Sequence, residues 1–120
     1  MSYENIDYVN CHATGTLSGD ESEIRAIESV MEVGKKVMVS SFKGNIGHSL
    51  CASGVIEAAL VINSINNQLI PKMINVDNPI STNHKLLTYD YNGQINNTLK
   101  MCSGFGGLNY ALIISKYNKG

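Results

Sequence analysis

Apolar residues in this chain fall into four short runs and two longer periodic stretches, a pattern that predicts strands alternating with helices. Ile6 to Asn10 reads as a short strand, followed at once by Cys11, His12 and the loop Ala13-Thr14-Gly15-Thr16. Ser18 and Glu21 fit a capping box, S-x-x-E, so a helix is expected to start there. Ile24, Ile27, Val30 and Met31 form one apolar stripe with Glu28 and Glu32 off it, and Gly34 supplies the stop. Val37 to Ser41 reads as a second strand. The stretch VSSFKGNIGHSLCASG, from Val39 to Gly54, then runs from a strand end through a glycine-rich turn to a helix start. That kind of junction is where α/β proteins place ligands, because amides at a helix start are unpaired and small side chains admit a substrate to the main chain.

From about Ala52 to Asn67 the pattern is helical, yet Glu57 is its only charged residue. Val55, Ile56, Leu60, Val61, Ile62 and Ile65 surround most of its circumference, and a helix apolar on nearly all sides needs cover on nearly all sides. One sheet in a chain of 120 residues offers little for the second side, so another layer, from further sequence or a partner, is expected. Gln68 to Pro79 reads as an extended connection and Ile80 to Asn97 as polar chain with a turn signal at Asn92-Gly93. Thr98 to Cys102 and Asn109 to Lys116 read as adjacent strands joined by a turn at Gly104 to Gly107.

Composition narrows the classes. At 43% hydrophobic residues the chain can build one core but not two, so residues 1–120 read as one domain. A net charge of -1, with no basic cluster beyond a pair, argues against nucleic acid. The start, MSYENIDY, has no signal-like pattern, and no apolar span reaches the ~20 residues of a membrane helix, so a soluble, cytoplasmic protein is expected. Three cysteines without repeated spacing read as reduced thiols.

His12 and His48 each follow a strand, so parallel strands would open both onto one sheet edge; the bland alternative is two unrelated, hydrogen-bonded structural histidines. Zinc on Cys11-His12 and His48-x-x-Cys51 is disfavoured, since neighbouring strand residues project to opposite faces. No metal or other cofactor is expected. Cys51 and Cys102 read as small buried hydrophobes, His84 as solvated, and Phe105, on residues alone, as core. Gly44-x-x-Gly47 lacks the Lys-Ser/Thr ending of a phosphate loop.

Taken together, His12-Ala13-Thr14-Gly15-Thr16, Lys43 with Gly47-His48, Pro71 with Asn75, and Gly104-Phe105-Gly106-Gly107-x-Asn109 resemble, in order and spacing, the C-terminal part of β-ketoacyl-acyl-carrier-protein synthases. These are the condensing enzymes of fatty acid and polyketide synthesis. The resemblance implies a thiolase-like α/β/α layered fold, here an incomplete C-terminal half with a mixed sheet. It also implies a decarboxylative Claisen condensation, in which a cysteine-bound acyl group is attacked by the carbanion that malonyl thioester yields on losing carbon dioxide. By resemblance His12 and His48 hold the malonyl thioester carbonyl, Lys43 is a fixed positive charge near the second histidine, and Glu23 steadies that lysine. Thr14 and Thr16 match threonines that bind the carrier's pantetheine arm, and Phe105 matches an aromatic gate to the acyl pocket.

The sequence also departs from that family. Nothing in it matches the motif of the nucleophilic cysteine, the family's first strand and helix of this half are missing, and Ser103 replaces an aromatic residue before the gate. The implied partners are acyl carrier protein and either an N-terminal synthase half or a second copy, as in a dimer. The rival expectations are a non-catalytic, chain-length-factor-like interaction subunit and a truncated, inactive fragment.

Overall fold

A computed structural model describes residues 1–31 and 36–117. Three strands form first in the order expected: β1 (Tyr8–Asn10) and β2 (Met38–Ser40), with α1 (Leu17–Val30) between them, then β6 (Asn97–Gly104) near the end. The connection after β2 holds a one-turn helix, α2 (Lys43–Ile46), a 3-10 turn over Leu50–Ala52, and the long helix α3 (Ser53–Asn67). Sequence reading gave that connection a plain glycine-rich turn. Three two-residue strands, β3 (Leu69–Ile70), β4 (Lys85–Leu86) and β5 (Tyr91–Asn92), lie in the region read as extended or polar, and β7 (Leu108–Ser115) closes the chain.

The main sheet runs β4-β2-β1-β6-β7, with β4, β2, β1 and β6 parallel and β7 antiparallel to β6. It is the expected mixed sheet. The turn Phe105-Gly106-Gly107 joins β6 to β7 as anticipated, and its φ angles of +77° and +79° at Gly106 and Gly107 explain the glycine pair. A second sheet pairs β3 with β5. Period-2 alternation sorts the strand residues onto two faces. Val9, Cys11 and Val39 pack with Ile24, Ile27 and Met31 of α1 on one face, and Tyr8 packs with Phe42, Val61 and Ile65 on the α3 side. The result is helix, sheet, helix.

Details of α1 differ from expectation. Thr16, in extended conformation, is its N-cap, so Ser18 already lies inside the first turn and cannot form the capping box. Glu21 instead pairs with Arg25 at 3.5 Å. Val30 is 58% exposed, because six positions after Ile24 a helix has turned to about 120° away from the stripe. Glu32 and the Gly34 stop lie outside the described residues.

Helix α3 has an unusual distribution. Its buried face is Ser53, Glu57, Val61, Ser64 and Ile65, while Val55 and Ile62 stand 76% and 48% exposed. The expectation of an uncovered apolar side therefore holds. Strand β7 is similar: Leu108, Tyr110, Leu112 and Ile113 are all exposed. Among the described residues no helix is long and apolar enough to cross a membrane.

Candidate active site

Parallel pairing of β1 with β2 places Asn10 opposite Ser40, and both chains leave the sheet at the same edge. His12 follows two residues after β1. His48 is reached from β2 through α2 and Gly47, whose φ of +79° redirects the chain. The two imidazoles meet edge to face, with ring centroids 5.4 Å apart and planes at 86°.

Hydrogen bonds set the chemistry of the His48 ring, and burial that of His12. The Leu50 backbone N–H donates to His48 Nδ1 at 3.2 Å, and the Ser53 hydroxyl lies 2.8 Å from the same nitrogen. A backbone amide can only donate, so Nδ1 is the acceptor and the ring proton belongs on Nε2. Leu50 reaches that position with a φ of +50°, rare for a side-chain-bearing residue. Nδ1 of His12 is buried without a partner, and burial, reinforced by the charge of Lys43, lowers the pKa of His12 below the ordinary 6.5. Both rings are thus suited to donate a hydrogen bond.

Lys43 sits at the first position of α2, buried, where Gly44 brings the helix against the next segment: a Cβ on Gly44 would lie 2.5 Å from the Ile74 carbonyl oxygen. Its Nζ donates to Glu57 Oε1. This corrects the role implied for Glu23, which instead accepts the backbone N–H groups of His12 at 2.6 Å and Ala13 at 2.8 Å. Glu23 shapes the His12 loop because α1 faces that loop, whereas α3 faces Lys43. Burial raises the Glu23 carboxyl's pKa against the opposing pull of those two N–H donors.

Glu57, which sequence reading did not assign to the site, is fully buried, and its other oxygen lies 2.5 Å from Lys100 Nζ in an ion contact without an aligned hydrogen bond. Its signal was present: a lone carboxylate in an otherwise uncharged helix. Ser53 and Lys100 gave no comparable one.

Thr14 and Thr16 are exposed, their hydroxyl oxygens 3.4 Å apart, and Thr14 joins His12, Glu23, Asp20, Ser103 and Asn109 around a hollow of about 210 Å³. Phe105 is not core. It stands fully exposed at the hairpin tip, apart from the histidines' packing, because the two positive-φ glycines after it turn the chain outward. Cys51 is exposed and Cys102 half-buried, so neither is the buried hydrophobe expected, while Cys11 is buried with its thiol pKa pushed up by that burial. His84 is not solvated either: both ring nitrogens are buried and unpartnered, since Lys85 joins the sheet edge directly after it.

The family model described as β-ketoacyl synthase, C-terminal domain, matches residues 1–77. A 3-oxoacyl-acyl-carrier-protein synthase 1 from Buchnera aphidicola is 40% identical over 114 residues, covering 93% of this chain and 28% of that protein. A Bacillus subtilis protein named polyketide biosynthesis malonyl-ACP decarboxylase PksF is 32% identical over 121 residues, covering 97% of this chain and 28% of its own length. Among solved structures, a ketosynthase from module 1 of the bacillaene synthase of Bacillus amyloliquefaciens superposes with a TM-score of 0.89 at 27% identity. That match covers 100% of this chain and 25% of the other. The chain spans about 28% of the length of the curated relatives it matches. Its layered mixed sheet is the thiolase-like fold of these ketosynthases in part. On the match of residues 1–77, the chain belongs to the β-ketoacyl synthase family, within its C-terminal domain.

Proposed function

We propose that this chain carries the decarboxylating half of a β-ketoacyl-acyl-carrier-protein synthase site. The observation that supports this most is the pair of imidazoles in edge-to-face contact, 5.4 Å between centroids, beside the buried Lys43–Glu57 pair. Malonyl thioester loses its carboxylate as carbon dioxide, and the electrons of that C–C bond become the enolate, whose charge rests on the thioester oxygen. His12 and His48 donate to that oxygen. Donors aimed where charge develops are typically worth about 2.7–4 kcal/mol each. Thr14 and Thr16 hold the pantetheine arm of the acyl carrier protein, and Phe105 gates the acyl pocket.

The carbanion then attacks the carbonyl carbon of an acyl thioester on a cysteine that lies outside these 120 residues, forming the new C–C bond as the C–S bond breaks and the cysteine thiolate leaves. Cys11 is buried with its thiol pKa pushed up, the wrong environment for a nucleophile. In the presence of a cysteine-bearing complement, His12→Ala and His48→Ala should each abolish carbon dioxide release from malonyl carrier protein. Retained release in either variant refutes the assignment. The chain alone should form no ketoacyl product, and turnover by it would refute the division of labour.

A second reading, a non-catalytic cover for another synthase, has the exposed apolar side of α3 and β7 in its favour. It leaves the buried lysines and paired rings without a task. Recovery of an active synthase bound to this chain, indifferent to substitution of His12, Lys43 and His48, would establish it instead.

A further inference from the structure

The sheet row that faces α3 is polar. Ser40, Asn10 and Lys100 align across β2, β1 and β6, Thr98 aligns with Tyr8 two residues earlier, and all five are buried. The Tyr8 hydroxyl links Ser40 Oγ at 2.6 Å and Asn10 Nδ2 at 3.0 Å. A lysine on a central strand under a helix must be paired to be tolerated there. Lys100, its side chain 3% exposed, contacts Glu57 Oε2 at 2.5 Å and donates to the Met101 carbonyl oxygen. Lys43 already holds the other carboxylate oxygen. Two lysines therefore share one carboxylate, and with all three groups ionised the formal charge of the buried trio is one positive in excess.

We propose that Lys100 is a positioning residue of the imidazole site, its ammonium adding positive charge beyond what Glu57 offsets for Lys43 and so favouring an anion that forms at His12 and His48. This rests on the reading that the rings hold a developing enolate. Of the other titratable groups around His12, Glu23 also feels the charge of Lys100, which opposes the burial that raises its pKa. From α1, Glu23 is engaged by the His12 and Ala13 amides and Asp20 accepts the Gly15 amide at 3.3 Å. From β1, Tyr8 and Cys11 stay neutral, since burial pushes both acids up. His48 receives the Leu50 amide at Nδ1. Burial is the largest cause lowering the pKa of His12; Lys43 adds to it, Glu57 opposes, and Lys100 adds a smaller lowering of the same sign as Lys43.

Two measurements on the full chain test this. With lysine side chains labelled by nitrogen-15, the Lys100 Nζ resonance at neutral pH should have the shift of an ammonium. A neutral amine would overturn the proposal, and this reading needs no variant to fold. Second, Lys100→Met should move the His12 titration midpoint upward in an NMR titration, while Lys100→Arg should leave it in place. An unmoved midpoint in folded Lys100→Met would overturn the proposal. Failure of the functional reading looks different: His12→Ala would still release carbon dioxide from malonyl carrier protein, with the Lys100 charge and its effect on the midpoint intact.

Discussion

Which nitrogen of an imidazole can donate depends on what its neighbours occupy, and at His48 the Leu50 amide decides it. At His12 the control is electrostatic, and it predicts a pH dependence. Because its folded pKa is lowered below 6.5, the unfolded chain binds more protons between the two values, and stability rises with pH through that window. The contribution is complete above the unfolded value and is lost as pH falls through the folded one. Denaturant midpoints of the wild type should drop across that range relative to His12→Gln; parallel curves would refute the shift. Glu57 gives the larger effect. Glu57→Gln leaves two buried ammonium groups without a counter-charge, and a loss of about 3–5 kcal/mol is expected in urea unfolding. A loss near zero would mean the lysines are not charged there. At this scale His12, His48 and Lys43 were legible from motif spacing. The partner of Lys43 was not, because nothing in the pattern shows which helix faces the lysine: α1 turns Glu23 to the His12 loop, while α3 brings Glu57 to Lys43.

Strands and helices were legible where the period was long enough to read. The α1 stripe, the α3 run and the β6–β7 hairpin all emerged from it, although Val30 turned out to face solvent. Two-residue strands leave no period, so β3, β4 and β5 were invisible even though Ile70, Leu87 and Ile95 beside them are fully buried. The glycine-rich stretch was recognised but its reason was mixed. Gly47 serves a positive φ, whereas Gly44 lies within a helical turn and is required by the approach of Ile74. A methyl group 2.5 Å from a backbone carbonyl oxygen cannot be absorbed by a side-chain rotation. Gly44→Ala should therefore cost about 1–3 kcal/mol, typical of overpacking, and shift α2 together with Lys43. Unfolding curves and the His12 resonance both report it; an unchanged protein would mean that α2 moves freely.

For the molecule as a whole, the informative surface is apolar. Val55 and Ile62 on α3, Leu108, Tyr110, Leu112 and Ile113 on β7, and Phe105 at the hairpin tip are all exposed, and β7 ends the sheet with one edge unpaired. Contiguous apolar surface and a free strand edge both favour association. The chain on its own should run as oligomers or aggregates in sizing experiments and bind a hydrophobic dye. A compact monomer without dye binding would contradict this. The need for a second cover on α3 was legible from its composition; which residues would be left outside was not, since the buried face mixes Ser53, Glu57 and Ser64 with Val61 and Ile65.

The Cys11 amide donates to the Ser40 carbonyl at 2.8 Å, the last rung of the ladder before the two histidine-bearing segments diverge. Both histidine-bearing segments thus start from a common hinge pin, so the rung sets where each path to its ring begins. Loosening at this end of the sheet would part the pair, so a substitution far beneath the rings that frays β1 from β2 would undo their contact while leaving both histidines in the sequence.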